Sequence, residues 1–257
     1  MDNSEGKNEK TIPRVKEIVE DLVDAISGVF DKHDVTFDEY RAGFFHVIKT
    51  GQANELGLLM DMLLCQRVCD IEMKGRKGTR SNVEGPYFFP DAPLVTDAAK
   101  VRGDVEPLQI QATVKDLDGN PIPDVDVDLW WADPEGKYSG YSDDFPLEYF
   151  RCKVKTDKNG QYSILGSMPV EYPITTARHG PTGALVDMLG RQGMRTKHMH
   201  QKYNKEGYLP LTTQAYFRGA NFIDEDPVTA VFEDLIYDLK EEDGIAVLDI
   251  NIVLDHD

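Results

Sequence analysis

The run 124-DVDVDLW-130 alternates one apolar residue with one acid: Val125, Val127 and Leu129 against Asp124, Asp126 and Asp128. Side chains on an extended strand point to opposite faces with a period of two, so this pattern predicts a half-buried β-strand with its aspartates towards water. Near the C-terminus 247-VLDINIVLD-255 repeats the pattern through Leu248, Ile250, Ile252 and Leu254. Turn sequences separate such runs, "DLDGNP" at 116–121, read as a hairpin, and "TDKNG" at 156–160. Several short strands of this kind, starting near residue 104, predict an antiparallel β-sandwich. One short helix, near 181–191, interrupts them, with Pro181 in its first turn.

Upstream the period changes. In 11-TIPRVKEIVEDLVDAISGVF-30 the apolar set Val15, Ile18, Val19, Leu22, Val23, Ile26, Val29 and Phe30 follows a helical stripe. Thr36 and Glu39 have capping-box spacing at the start of a second helix that should run to Gly51. A third segment, Asn54–Met73, is apolar around much of its circumference, which implies burial on more than one side; a seam between subunits is one way to achieve it. The chain therefore reads as mainly β with α: a helical segment over 1–80 and a β-sandwich over 81–257.

With 28 basic and 46 acidic residues, the formal charge of −18 argues against nucleic acid and anionic membrane surfaces as partners, because both require clustered Lys and Arg. A small neutral or aromatic substrate suits that charge better. No apolar h-region opens the sequence and no run is long enough to form a membrane span, so the cytoplasm is the expected location. Cys65, Cys69 and Cys152 make neither a disulfide framework nor a structural zinc site.

The chain has six histidines, and two stand one residue apart in 195-RTKHMHQKYN-204. On a strand, His198 and His200 would share a face and could converge on one ion, with Met199 directed to the other side. A polar decorated strand is the commoner meaning of such a pair. Partners are scarce: His33, His46 and His256 fall in the helices or the tail, and His179 is a weak loop candidate. Tyrosines are the less obvious option. Tyr138 follows a strand and a turn, and Tyr172 stands between Pro169 and Pro173. A phenol becomes a good ligand only for a strongly Lewis-acidic ion such as ferric iron. On the residues alone, each tyrosine is more readily a core or rim residue.

The contexts of these four residues occur in a fixed order: "NVEGPYFFPDAP", "DLWWADPEGKYS", "GSMPVEYPI", "GPTGALVDMLGRQGMRTKHMH" and "PLTTQAYF". This succession resembles the intradiol ring-cleavage dioxygenases, in particular the catechol and chlorocatechol 1,2-dioxygenase branch, and the likeness covers nearly the whole chain. The resemblance implies one Fe(III) per subunit held by Tyr138, Tyr172, His198 and His200, with Tyr172 and His200 axial and Tyr138, His198 and a hydroxide equatorial. It implies that catechol or a chloro- or alkyl-substituted catechol reacts with O2 to give a cis,cis-muconate. In that scheme Tyr172 and the hydroxide accept the catechol protons, Arg195 stabilises negative charge on the ring, and Gln214 orients or polarises the same region. Val83, Pro86, Tyr87 and the stretch Ile48 to Ala53 are implied as cavity residues. Also implied is a homodimer through the N-terminal helices, often with a phospholipid held there. Thr196, Lys197 and Met199 depart from the commoner Pro-Ala and Ile at those places, and Trp131 replaces a frequent polar residue. The alternatives are hydroxyquinol as substrate or, outside enzymes, a non-catalytic transthyretin-like binding sandwich.

Overall fold

The computed structural model of the chain describes residues 11–101, 103–174 and 180–257. It divides into two compact units, one ending at Lys49 and one spanning Thr50–Asp257. In the first, α1 (Thr11–His33) and α2 (Phe37–Gln52, continuing into the second unit) meet at a turn where Asp34 adopts a φ of +50°. The expected capping box forms there: Glu39 N–H donates to Thr36 Oγ1 at 3.3 Å, and Thr36 N–H donates to Glu39 Oε2 at 2.8 Å. On α1 the stripe Val15, Ile18, Val19, Leu22, Val23 and Ile26 stays 45–56% exposed.

The second unit opens with α3 (Leu56–Met60), one π-helical stretch (Asp61–Cys65) and α4 (Gln66–Glu72), so the expected single helix carries an inserted wider turn. Leu59, Met62 and Cys69 are buried, whereas Leu63, Leu64, Val68 and Ile71 are exposed. After it come β1 (Pro107–Asp116), β2 (Asp126–Trp130), β3 (Arg151–Lys155), β4 (Gln161–Ser167), β5 (Tyr172–Pro173), α5 (Pro181–Met188) and β6 (Met194–Arg195). The chain ends with β7 (His198–Asn204), β8 (Leu211–Phe217), β9 (Ile236–Tyr237), β10 (Lys240–Glu242) and β11 (Ile245–Leu254). One sheet has the order β10-β11-β1-β4, a second the order β3-β2-β7-β8-β9, and β5 and β6 form a small ladder. Most pairs are antiparallel, as expected, but β1 runs parallel to β11 and β8 parallel to β9.

The two larger sheets share one core, in which Leu108, Ile110 and Val114 of β1 meet Val127 and Leu129 of β2 and Leu248 and Ile250 of β11. Each such side chain, fully removed from water, stabilises by about 1.5–3 kcal/mol before ordering costs. The alternation in 124–130 is honoured by Val125, Val127 and Leu129, all buried. Asp128 departs from it: its residue is only 6% exposed, with Lys153 Nζ at 3.6 Å, beyond a hydrogen bond. Among the described residues no helix is long and apolar enough to cross a membrane.

Candidate metal centre and catechol site

Each donor is delivered by a different local device. The turn "DPEGK" ends β2 and presents Tyr138: Asp133 Oδ1 accepts the N–H groups of Glu135 (3.0 Å) and Lys137 (2.8 Å), and Gly136 N–H closes on Asp133 O. Gly136 has a φ of +80°, and a Cβ there would overlap the Cβ of Tyr172. The position therefore needs glycine twice over, for its backbone and for the approach of the second tyrosine. Tyr172 sits on β5 directly opposite Arg195 on β6. His198 and His200 project from one face of β7, while Met199 between them is fully buried in the sandwich core.

These side chains converge. Tyr138 Oη lies 3.0 Å from Tyr172 Oη, and His198 Nε2 lies 3.1 Å from Tyr172 Oη and 3.4 Å from Tyr138 Oη. The His200 ring centroid is 5.0 Å from that of His198 and 6.0 Å from that of Tyr138. His198 Nδ1 donates to Thr196 O at 2.7 Å; a carbonyl can only accept, so the Nε2 lone pair faces the two phenols. His200 is held differently. Its Nδ1 has no hydrogen-bond partner among the described residues, though the Val83 backbone lies close, and its ring stacks on Trp130 at 4.9 Å and 6°.

Burial pushes both imidazoles well below the usual histidine range, reinforced by the Arg195 cation for His198 and by His198, Arg195 and Arg151 for His200. Burial raises both phenols, Tyr138 further because Tyr172 would share its site, whereas the Arg195 charge partly opposes the rise at Tyr172. Neutral imidazole lone pairs suit a metal, and phenols this reluctant to ionise require a strong cation to become good donors. The donor set therefore fits a hard, highly charged ion such as Fe(III). Among the described residues no group of three or more His, Cys, Asp or Glu could hold a metal, so the tyrosines are essential to this assignment.

The histidines also fix a pH dependence. Their folded pKa lies below the unfolded value of ~6.5, so on acidification the unfolded chain takes up protons that the native state refuses. Stability is present above pH ~6.5 and is lost below it, by up to about 1.4 kcal/mol per pH unit per histidine. The chelated, metal-free protein should show its Tm falling from pH 6.5 to 5 more steeply than a His198→Gln variant, and equal slopes would refute the assignment.

Arg195 is 6% exposed, its Nε donates to both oxygens of Asp226 at 2.9 and 3.0 Å, and its Nη2 has no hydrogen-bond partner among the described residues. It lines a small void with Tyr172, Tyr87, Ile174 and His200. Beside that void, a cavity of about 590 Å³ is lined by Ala53, Glu55, Leu58, Pro86, Tyr87 and Tyr138, among others. That size lies within the range of small-molecule sites. A larger hollow of about 860 Å³ lies over Gln111, Thr113, Lys155 and Gln161, but it is an open groove with none of the converging donors. Pro86 and Tyr87 thus line the cavity, as does Ala53 from the expected stretch 48–53. Val83 packs instead in the apolar cluster with Leu59, Ile174 and Val186.

Gln214, opposite His200 in the β7–β8 register, spends its amide elsewhere: Nε2 donates to Val83 O at 2.6 Å, and Oε1 accepts from Tyr216 Oη at 3.0 Å. His33 and His46 lie in α1 and α2, His256 stacks on Tyr208, and His179 is outside the described residues. Trp130, Arg151, Tyr216 and Asp226 were not singled out from the sequence, and no spacing marks them. Their contacts with the site cross strands or span tens of residues.

The "Dioxygenase" family matches residues 83–256, and the "Catechol dioxygenase N terminus" family matches residues 13–79. The chain is 38% identical to the chlorocatechol 1,2-dioxygenase of Pseudomonas sp. (strain P51), over 94% of this chain and 96% of the relative. It is 30% identical to the catechol 1,2-dioxygenase of Acinetobacter baylyi, over 89% of this chain and 77% of that protein. The crystal structure of chlorocatechol 1,2-dioxygenase from Pseudomonas putida superposes with a TM-score of 0.90 at 35% identity, covering 95% of this chain and 99% of that one. A conserved order of motifs, a shared architecture and these matches lead to one conclusion: the chain belongs to the intradiol ring-cleavage dioxygenases, in their catechol and chlorocatechol 1,2-dioxygenase branch.

Proposed function

We propose that the protein cleaves catechol and ring-substituted catechols between their two hydroxyl-bearing carbons with O2, giving cis,cis-muconates, and that Tyr138, Tyr172, His198 and His200 hold one Fe(III). The observation that carries this reading is the convergence of Tyr138 Oη, Tyr172 Oη and His198 Nε2 within 3.0–3.4 Å beside the His200 ring. A ferric ion there would bind both catechol oxygens and make the ring reactive towards O2. A non-catalytic binding sandwich has no use for four converging buried donors.

The chain's own groups then have distinct tasks. Tyr172 Oη accepts one catechol proton, a general-base role for which the adjacent Arg195 charge lowers the cost of the phenolate. Arg195 lines the void beside Tyr172 and His200 and keeps a buried Nη2 with no hydrogen-bond partner among the described residues, which leaves its charge available to stabilise negative charge as it develops on the ring. Pro86 and Tyr87 form the wall past which ring substituents must fit, in a cavity whose other side carries the polar Asn54, Glu55, Lys137 and Ser142. Gln214 acts through Val83, tethering the segment that leads to Gly85 and Tyr87.

Chlorocatechols are the proposed preferred substrates. The chain is 38% identical to a chlorocatechol-cleaving relative and 30% identical to a catechol-cleaving one. Residues 1–80 are proposed as the linking and dimerisation segment and 81–257 as the catalytic part. Two copies of the exposed α1 stripe would cover each other, with a phospholipid seated in the same apolar region. The free thiols Cys65, Cys69 and Cys152 accord with a cytoplasmic location.

Protein expressed with ample iron should be burgundy, contain one iron per chain, and show a visible band that shifts when catechol is added without O2. Relative kcat/KM for catechol, 3- and 4-chlorocatechol and hydroxyquinol ranks the substrates. Colourless, iron-free protein would sink the reading.

A further inference from the structure

One buried cation lies outside the proposed donor set. Arg151, the first residue of β3, is 1% exposed, and its hydrogen bonds among the described residues go to neutral oxygens. Its Nε donates to Ser139 Oγ at 2.6 Å, and its Nη2 donates to Ser139 O at 2.5 Å and to Tyr87 O at 3.2 Å. A guanidinium removed from water without a carboxylate in hydrogen-bond contact is costly, and burial lowers its pKa to about 10, opposed in part by the more distant Asp128. Stability alone therefore gives poor grounds for a cation at this position.

The geometry offers another ground. One fork joins two segments, that of Tyr87 and that of Ser139, whose preceding residue is Tyr138. The rings of Tyr87 and Tyr138 stack at 4.4 Å and 14°, so the substrate wall lies flat against a proposed iron donor. Arg151 also opens a single cross-strand row, pairing with Trp130, which pairs with His200, which pairs with Gln214. Trp130 stacks on the His200 ring, whose Nδ1 has no hydrogen-bond partner among the described residues. A planar five-donor group can span both segments at once, whereas an ammonium presents a point charge.

We propose that Arg151 is a positioning residue for the dioxygenase reaction: by holding Ser139 and the Tyr87 carbonyl on one guanidinium, it sets the Tyr87 wall against Tyr138 and so governs which ring substituents the site accepts. This rests on the iron-dependent catechol cleavage proposed above. It extends that reading, because it assigns substrate discrimination to a side chain that does not line the cavity.

The test uses the full-length, iron-loaded protein as wild type, Arg151→Lys and Ser139→Ala, the latter removing one bond while keeping the guanidinium. Three quantities are read: Tm, the visible absorption maximum, and KM and kcat for catechol and 4-chlorocatechol. Arg151→Lys should move the absorption maximum and raise KM for 4-chlorocatechol by about tenfold more than for catechol, with kcat changing less, because a displaced wall acts on fit. Ser139→Ala should move the absorption maximum in the same direction by less and shift the KM ratio by about two- to threefold. A folded Arg151→Lys protein with wild-type absorption and a wild-type KM ratio would overturn the proposal. If Arg151→Lys fails to fold, Ser139→Ala decides alone, and unchanged absorption and ratio refute it. A wild type that is colourless and inactive refutes the underlying dioxygenase reading instead.

Discussion

Tyr172→Phe is expected to leave a folded protein that has lost most of its colour and about 10²–10⁴-fold in kcat, the range assigned to a positioned general base. The fold should survive because the substitution keeps the ring. That ring fills the space beside Gly136, where a Cβ would overlap Tyr172, and packs edge-on to Tyr138 at 5.8 Å. What disappears is Oη, the atom 3.0 Å from Tyr138 Oη and 3.1 Å from His198 Nε2. Losing it from the metal-free protein costs about 1 kcal/mol of hydrogen bonding, so the Tm should fall little. In the loaded protein the proposed donor set would lose one of its two phenolates, and with it the oxygen proposed to accept a catechol proton. The decisive comparison is therefore a small change in Tm beside large changes in absorption and turnover. Full colour and near-normal kcat would remove Tyr172 from the donor set.

The parts of this picture legible in the sequence are those that depend on local periodicity. Val125, Val127 and Leu129 alternate because their strand is half-buried, and the same rule places His198 and His200 on one face with Met199 behind. Thr36 and Glu39 announce a helix start because a capping box is complete within four residues. The tyrosines were legible only through the order of motifs shared with a family. Nothing in their own spacing distinguishes Tyr138 and Tyr172 from core residues.

What stayed hidden depends on contacts between distant strands. The parallel pairing of β1 with β11 joins the two ends of the sandwich, and alternation reads the same for either strand direction. Asp128 was placed with the solvated acids by its period, yet the neighbouring strand brings Lys153 over it and closes off water. Trp130 looked like one more apolar strand residue; its value lies in the β2–β7 register, which sets it against His200. Gln214 was expected to act on the substrate region, and its register partner is indeed His200, but its amide is committed to Val83 and Tyr216. Local sequence devices present Tyr138 and the His198/His200 pair, whereas the surroundings of His200 come from the cross-strand row that sets Trp130 and Gln214 beside it.

Asp226→Asn should produce the largest loss of stability among single changes near the site, about 3–5 kcal/mol, because it strands a buried cation. Asp226 lies in the acidic loop "DEDP", where three acids in succession look like a solvated turn, yet its side chain is 1% exposed. Its carboxylate accepts Arg195 Nε on both oxygens, Thr196 N–H at 3.1 Å and Val228 N–H at 3.0 Å. Every one of those partners is a donor. Asparagine would keep the shape but offer an amide N–H to at least one of them, and it would leave the Arg195 charge unbalanced in a site already 6% exposed. Against a total stability of roughly 5–15 kcal/mol, such a loss is large enough to read directly as a drop in the urea midpoint. Activity should fall with it, since Nε is the anchor that leaves Nη2 free to face the substrate. A double variant, Arg195→Met with Asp226→Asn, separates the two effects: with the cation gone, the asparagine no longer strands a charge and part of the stability should return, but none of the turnover. If Asp226→Asn unfolds within about 1 kcal/mol of wild type, the ion pair does not hold Arg195, and its orientation must come from the β5–β6 ladder alone.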